Sequence, residues 1–158
     1  MKVIMPGSYD PVTVGHLEMI KRVAKDYEQV YVVVFINPEK TYRFSLEDRV
    51  RMLMIATEEL DNVLVSFSLG RVVDYMREHG IEKIVKGYRN DLDLEYEKMQ
   101  AEYNLKHGGY ETELIMCEEH LCEVSSTEVR RRLDISASLC GIVPSEVEKY
   151  IKSLKTEA

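Results

Sequence analysis

The sequence predicts an α/β fold. Apolar runs of strand length alternate along the chain with amphipathic segments of helix length, and this alternation is typical of a parallel sheet whose strands are connected by helices. The apolar runs are rich in valine, isoleucine and leucine, as central parallel strands are. At 158 residues, 45% of them hydrophobic, the chain can bury one core. We therefore expect a single Rossmann-like doubly wound domain with a five-stranded parallel sheet.

Five strands and six helices are predicted. The predicted strands cover Lys2–Met5, Val30–Phe35, Val63–Phe67, Lys83–Val85 and Glu113–Met116. The predicted helices cover His16–Lys25, Ser45–Glu59, Arg71–His79, Asp93–Lys106, Ser126–Leu133 and Ser145–Ser153. No repeat, low-complexity tract or linker divides the chain, so residues 1–158 are expected to form one domain with a C-terminal helical segment over about residues 126–156.

Capping residues support the ends of several predicted helices. The second helix begins at Ser45, a residue type that caps helix N-termini with its hydroxyl. The third stops at Gly80, a predicted C′ glycine, and the fourth stops before Gly108-Gly109. The last helix begins with Ser145 and Glu148 at the spacing of a capping box.

Composition argues against several classes of protein. A formal net charge of −7 argues against a nucleic-acid partner, because polyanions bind basic surfaces. The N-terminus shows no signal peptide and no apolar run reaches the roughly twenty residues of a membrane span, so we expect a cytoplasmic protein with no membrane segment. Cys117, Cys122 and Cys140 are odd in number and lack CxxC spacing. Neither a disulfide framework nor a zinc site is expected, and a reducing compartment is the simpler interpretation.

The first sixteen residues indicate an anion site. A short apolar strand runs into a glycine-bearing loop and then directly into a helix, so free backbone N–H groups and the positive end of the helix dipole converge there. Gly15 lets the backbone approach a ligand closely. His16 at the helix entrance can donate a hydrogen bond to a phosphate oxygen whose charge grows during reaction. From this stretch alone, a polar residue near a helix N-terminus is an equally good interpretation of His16.

Four blocks of sequence occur in an order and at separations that resemble a known family. They are Gly7–Pro11 with Thr13–His16, Asn37–Lys40 with Phe44–Arg49, Lys86–Arg89 with Asp93–Glu97, and Val124–Thr127. The first block resembles the TxGH signature of the nucleotidyltransferase superfamily related to class I aminoacyl-tRNA synthetases. Within that superfamily, the chain from near Val3 to near Ile151 resembles the bacterial phosphopantetheine adenylyltransferase family.

The resemblance implies a nucleotidyltransferase domain that transfers AMP from ATP to 4′-phosphopantetheine, giving dephospho-coenzyme A and pyrophosphate in coenzyme A biosynthesis. Mg²⁺ is the expected cofactor because it neutralises the triphosphate in such chemistry, and no protein ligand for a metal is predicted. The resemblance also implies a homohexamer. A transfer of this kind needs no protein nucleophile; it needs two anionic substrates held in line, with cations and N–H groups directed at the phosphate oxygens.

The same resemblance assigns residues to the site. The catalytic residues are His16, Lys40 and Arg89. The ATP-binding residues are Ser8, Tyr9, His16, Gly87, Tyr88, Arg89, Glu97, Leu121, Cys122, Glu123, Val124, Ser125, Ser126 and Thr127. The residues that bind the acceptor are Ser8, Lys40, Val72 and Lys86.

Simpler structural interpretations of these residues stay open at this point. Lys40 has the residue type of a solvated loop cation. Arg89 can pair with Asp91 or Asp93 on the surface, an interaction worth little. Glu97 can be an ordinary residue on a helix face.

The serine-rich block has a similar choice of interpretations. Val124–Thr127 caps a helix whichever function holds, and its free N–H groups and hydroxyls are also placed to receive phosphates. The basic run Arg130–Arg132 that follows can assist phosphate binding or form a solvated face.

Three positions depart from the family pattern and bear on the identity of the acceptor. Lys86 stands where an arginine is usual, Arg71 where an aliphatic residue is usual, and Leu121 where an aromatic residue is usual. Two alternatives therefore stay open. One is a sister nucleotidyltransferase that uses ATP or CTP on another phosphorylated small molecule, and the other is a non-catalytic module that senses a nucleotide or coenzyme A.

Overall fold

Five parallel strands form one sheet in a computed structural model that describes residues 1–156. The strands are β1 (Lys2–Gly7), β2 (Gln29–Phe35), β3 (Val63–Ser68), β4 (Lys83–Tyr88) and β5 (Glu111–Met116). Their order across the sheet is β3-β2-β1-β4-β5, and every neighbouring pair is parallel. The predicted α/β fold, a Rossmann-like doubly wound domain with five parallel strands, is confirmed.

Helices connect the strands and complete the C-terminal part. They are α1 (Val14–Asp26), α2 (Leu46–Ala56), α3 (Val72–His79), α4 (Asp91–Gly108), α5 (Ser126–Asp134) and α6 (Ser145–Thr156). A short 3₁₀ helix over Glu119–Leu121 precedes α5. Within residues 1–156, no helix is both long enough and apolar enough to cross a membrane. The predicted domain extent of 1–158 includes residues 157 and 158, which lie outside the described residues.

The two faces of the sheet carry separate cores, because successive side chains of a strand point to opposite faces. On one face, Val3 and Val32 belong to a cluster that includes apolar residues of α1, α2, α5 and α6. On the other face, Ile4 and Val33 pack with Met76 and its neighbours on α3. Helices therefore cover both faces, as the doubly wound topology requires.

The ends of several elements differ from the prediction. β1 continues to Gly7 and β4 to Tyr88, because β2 and β5 keep pairing with them to those residues. α2 ends at Ala56, before its predicted end. The predicted stop of α4 before Gly108 is wrong: the helix includes Gly108 and is capped by Gly109, whose φ of 74° lies in the left-handed region that glycine adopts readily.

The expectation that the cysteines form no disulfide is wrong for two of them. Cys117 and Cys122 are bonded to each other, with their Cα atoms 5.8 Å apart. The chain between them turns tightly through the 3₁₀ helix, so a bond forms without CxxC spacing. Cys140 is free and exposed.

Gly108 on α4 packs closely against α3. A Cβ on Gly108 would lie 2.6 Å from Cγ1 of Val73, a β-branched residue with little rotamer freedom. Overpacking typically costs about 1–3 kcal/mol, whereas alanine gains at most about 1 kcal/mol over glycine within a helix. We therefore expect Gly108→Ala to lower the free energy of unfolding, as measured by chemical denaturation.

Gly70→Ala is the matched control for this change. A Cβ on Gly70 would have its nearest neighbour, the Ser68 hydroxyl, at 3.8 Å. This variant should keep the stability of the unchanged protein to within about 0.5 kcal/mol, as surface substitutions usually do. A Gly108→Ala protein that is as stable as the Gly70→Ala protein would contradict the tight packing of α4 on α3.

Candidate active site

The two central strands separate at their carboxyl ends. β1 and β4 pair only at Val3 with Lys83 and at Ile4 with Ile84. Beyond these residues β1 stays paired with β2 through Gly7, and β4 stays paired with β5 to its own end. The order of the strands also reverses between β1 and β4, and such switch points are where open α/β sheets bind ligands.

A cavity of about 380 Å³ occupies this gap, a size typical of small-molecule sites. It is lined by the carboxyl ends of β1 and β4, the first turns of α1, α4 and α5, and the loops before α1 and α5. The predicted site residues that line it are Ser8, Tyr9, His16, Lys86, Gly87, Tyr88, Arg89, Glu97, Leu121, Val124, Ser125, Ser126 and Thr127. The structure thus brings together residues from three of the four sequence blocks.

His16 is held at the start of α1 by a capping box. Thr13 is the N-cap, and its Oγ1 accepts a hydrogen bond from the His16 N–H at 3.2 Å. The backbone N–H of Thr13 in turn donates to Nδ1 of His16 at 3.0 Å. Because Nδ1 is an acceptor, the proton of the neutral ring lies on Nε2.

The electrostatic surroundings keep the His16 ring neutral. Burial is the main cause that lowers its pKa from 6.5 to about 4, and the positive charges of Lys86 and Arg89 act in the same direction. The ring can therefore donate a hydrogen bond from Nε2 over the whole physiological range of pH. Such a donor is suited to an oxygen that gains negative charge in a transition state.

Tyr9 forms the wall beside His16. Its hydroxyl donates to the Met5 carbonyl oxygen at 2.9 Å, and burial raises its pKa. The two rings meet edge to face, with centroids 5.0 Å apart. A Cβ on Gly7 would lie 3.0 Å from the Tyr9 ring, so this glycine allows the ring to pack against the strand end. The Tyr9 hydroxyl is thus already used within the protein.

Lys86 and Glu97 form an ion pair in the wall of the cavity. Nζ of Lys86 lies 3.5 Å from Oε1 of Glu97 and donates to the Pro6 carbonyl oxygen at 3.4 Å, so the side chain reaches from β4 to β1. Oε2 of Glu97 is buried and has no hydrogen-bond partner within the described part of the chain. Burial also raises the pKa of Glu97. A buried acceptor of this kind would be satisfied by a hydroxyl or amino group of a ligand.

Arg89 forms the pair that the simpler interpretation predicted, and it also lines the cavity. Its Nε lies 2.9 Å from Oδ2 of Asp93, and both residues line the cavity. The pair is partly exposed, so its own contribution to stability is small. Its effect at this place is to fix the direction of a guanidinium at the carboxyl end of β4.

The loop before α5 presents a helix N-terminus to the cavity. Ser125 caps α5 by accepting a hydrogen bond from the Glu128 N–H at 3.1 Å. The Ser126 hydroxyl donates at 2.8 Å to a backbone carbonyl of the loop between β1 and α1. This hydrogen bond fixes that loop to the loop before α5. The N-terminus of α5 therefore has the electrostatic character of an anion site.

Arg130 is a site residue that the assignment by resemblance did not include. It donates to the Asp10 carbonyl oxygen at 2.7 Å and lines the cavity, whereas Arg131 and Arg132 pair with Glu128. The signal was present in the sequence. Arg130 follows Ser126 by four residues, which places the two on the same face of the helix.

Four predicted site residues do not line the cavity: Lys40, Val72, Cys122 and Glu123. Lys40 is exposed on the turn after β2, and Val72 begins α3 and packs on the core of the other face. Cys122 and Glu123 lie in the loop between the 3₁₀ helix and α5. The roles assigned to these four residues stay predictions.

The five-stranded parallel fold belongs to the class of the cytidylyltransferase-like proteins. The model of that family matches residues 4–132.

Curated relatives define the family more closely. The chain is 38% identical over 149 residues to the phosphopantetheine adenylyltransferase of Clostridium novyi, with 94% of this chain and 92% of that protein covered. It is 37% identical to the protein of that name from Corynebacterium efficiens, with 99% of each chain covered. It is 35% identical to the one from Thermobifida fusca, with 99% and 95% covered. The chain belongs to the phosphopantetheine adenylyltransferase family.

The protonation of His16 can be measured directly. In ¹⁵N NMR spectra, we expect the ring to be neutral with its proton on Nε2 at pH 7, and to titrate near pH 4. His16→Gln identifies the signal by removing it. A ring that titrates near 6.5 would contradict its burial beside Lys86 and Arg89, and a ring that carries its proton on Nδ1 would contradict the capping-box geometry.

The same shift has a consequence for stability. The unfolded chain binds a proton at His16 near pH 6.5, whereas the folded chain binds it only near pH 4. The free energy of unfolding should therefore fall as the pH drops through this window, and His16→Gln should remove that part of the loss.

Proposed function

We propose that the protein transfers the AMP group of ATP to 4′-phosphopantetheine, forming dephospho-coenzyme A and pyrophosphate. The observation that carries this proposal is the neutral His16 donor, held by Thr13 at the edge of a cavity that also contains Lys86, Arg89 and Arg130. A donor and three cations around one cavity suit a reaction in which negative charge accumulates at phosphorus. The named substrates come from the family to which the chain belongs.

The reaction requires positioning more than covalent chemistry by the protein. A phosphate oxygen of the acceptor forms a bond to the α-phosphorus of ATP, and the bond from that phosphorus to the bridging oxygen of pyrophosphate breaks on the opposite side. His16 would donate from Nε2 to an equatorial oxygen of the α-phosphate. This hydrogen bond would strengthen as charge moves onto that oxygen, which lowers the barrier.

The remaining cavity residues would hold the nucleotide. The free N–H groups at the start of α5, with Ser126 and Thr127, would bind the β- and γ-phosphates. Arg89 and Arg130 would neutralise their charge. The unpartnered Oε2 of Glu97 would accept a hydrogen bond from a ribose hydroxyl. The other residues assigned to the nucleotide would wrap around it: Ser8, Tyr9, Gly87, Tyr88, Leu121, Cys122, Glu123, Val124 and Ser125.

Mg²⁺ would enter as part of the substrate MgATP. Within the described residues, no group of three or more His, Cys, Asp or Glu side chains could hold a metal ion. The cavity carboxylates Asp93 and Glu97 are already paired with Arg89 and Lys86. The donor set thus fits an ion whose ligands come mainly from the triphosphate, where it neutralises charge.

The phosphate of the acceptor would lie on the β1 side of the cavity. Lys86 reaches that side through its contact with the Pro6 carbonyl, and Ser8 follows β1 directly. Lys40, on the turn after the neighbouring strand β2, would supply the second cation, and Val72 would contact the pantetheine arm. The reaction consumes ATP. We propose that it takes place in the cytoplasm.

A coupled assay of pyrophosphate release tests the proposed function. We expect the protein with Mg²⁺, ATP and 4′-phosphopantetheine to release pyrophosphate, and His16→Ala to lower kcat by about a hundredfold or more while KM for ATP changes by only a few fold. CTP and other phosphorylated acceptors are included as comparisons. Turnover with another pair of substrates only would favour a sister nucleotidyltransferase, and binding without turnover would favour a sensing module.

Lys40 can be tested separately from the nucleotide. Lys40→Ala should raise KM for the phosphorylated acceptor by about tenfold or more, because a charge-assisted hydrogen bond to the phosphate is lost. KM for ATP should change by less than about twofold. Lys21→Ala, at an exposed position on α1, is the matched control and should leave both constants unchanged. Equal effects of the two variants would remove Lys40 from the acceptor site.

The proposal includes a homo-oligomer, a hexamer by resemblance to the family. α4 has no buried residue in the single chain, and Leu92, Tyr96, Met99 and Tyr103 form an exposed apolar stripe at helical spacing. The exposed fraction of their side chains is 83%, 59%, 68% and 47%. An apolar surface of this kind is normally covered by another protein surface.

Tyr96→Glu tests this surface. A charge within the stripe should dissociate the oligomer, so light scattering should give a smaller mass than for the unchanged protein. Met54→Glu, at an exposed apolar position on α2, is the control and should keep the full mass. A monomeric unchanged protein, or a Tyr96→Glu protein of full mass, would contradict the assignment.

A further inference from the structure

The turn that carries Lys40 is tied to the cavity by a chain of contacts, although Lys40 itself does not line the cavity. Within the turn, the Lys40 N–H donates to the Asn37 carbonyl oxygen at 3.0 Å. The Asn37 N–H donates to the Tyr42 hydroxyl at 2.8 Å. The conformation of the turn therefore depends on where the Tyr42 side chain lies.

The Tyr42 ring is held by a buried arginine. Cζ of Arg49 lies 3.9 Å from the centroid of the ring, the geometry of a cation–π contact. Arg49, on α2, is only 2% exposed. Within residues 1–156 no carboxylate lies within ion-pair distance of it, and its Nε has no hydrogen-bond partner. The aromatic ring is thus one of the few groups that compensate this buried charge.

The same guanidinium contacts the cavity wall. Nη1 of Arg49 donates to the Ser8 carbonyl oxygen at 3.1 Å, and Ser8 lines the cavity. Arg49 therefore links the loop after β1 to the Tyr42 ring. The Tyr42 hydroxyl in turn links this side chain to the turn that carries Lys40.

A second tie fixes the other end of the segment. The buried Asp10 carboxylate accepts hydrogen bonds from the backbone N–H groups of Arg43 and Phe44, at 2.8 and 2.9 Å. Lys40 lies between this tie and the contact of Tyr42 with Asn37. A short segment held at both ends has few conformations, so its central residue is presented in a defined direction.

We propose that Arg49 and Tyr42 are positioning residues that hold the Lys40 turn against the Ser8 loop, and so set the position of the Lys40 ammonium relative to the acceptor phosphate. This inference rests on the proposed function for its consequence, but not for the contacts themselves. Arg49 acts through Tyr42, and Tyr42 through the Asn37 amide. Neither residue touches the substrate.

Amide hydrogen exchange tests the link without any substrate. Tyr42→Phe keeps the ring over Arg49 and removes only the hydroxyl that accepts from the Asn37 N–H. We expect the Asn37 amide to exchange about tenfold faster or more in this variant. Tyr150→Phe is the matched control, because it removes a tyrosine hydroxyl on α6 that donates at 2.7 Å to Asp48 on α2, the helix that carries Arg49. It should leave exchange at residues 37–40 unchanged.

Steady-state kinetics test the consequence. Tyr42→Leu removes both the ring and the hydroxyl, and we expect KM for the acceptor to rise about tenfold while KM for ATP stays within about twofold. In the Lys40→Ala background, Tyr42→Leu should have little further effect, because its influence passes through Lys40. Tyr42→Phe should give an intermediate rise in KM for the acceptor.

Three results would overturn the inference. These are an Asn37 amide unaffected by Tyr42→Phe, equal effects of Tyr42→Leu on the two KM values, and effects of Tyr42→Leu and Lys40→Ala that multiply independently. A protein that does not use 4′-phosphopantetheine would instead overturn the proposed function. In that case the exchange data would still decide whether Tyr42 orders the turn.

Discussion

The separation of β1 and β4 after Ile4 and Ile84 is the constraint on which the site depends. Had the two strands remained paired to their ends, the carboxyl end of the sheet would be closed and no cavity could form between them. Their outer neighbours keep them extended, and Lys86 and Glu97 fill part of the gap with paired charges. The gap thus places the start of α1 and the start of α5 around one space.

Within that space, the protein supplies a donor whose protonation is set by the backbone. The Thr13 N–H occupies Nδ1 of His16, which leaves the proton on Nε2, and burial keeps the ring uncharged. The positive charge around the cavity comes instead from Lys86, Arg89 and Arg130. In the proposed reaction, the cations would bind the polyanion, whereas His16 would stabilise the charge that develops.

The sequence predicted the fold because alternation of apolar strands and amphipathic helices specifies a parallel sheet. The local sequence pattern predicted that His16 stands at the start of a helix. The resemblance to the family supplied most of the assigned residues that line the cavity. The disulfide of Cys117 with Cys122 was not predictable by spacing, because it depends on a tight turn. The lowered pKa of His16 and the burial of Arg49 depend on packing between distant segments, which no local pattern records.

A crystal structure with Mg²⁺ and α,β-methylene-ATP would test the central claim most directly, since this analogue resists cleavage at the bond that breaks. The account predicts that the triphosphate lies in the gap between β1 and β4, with an α-phosphate oxygen about 3 Å from Nε2 of His16 and the β- and γ-phosphates at the start of α5. A nucleotide bound outside this gap, or one whose α-phosphate does not contact His16, would contradict it.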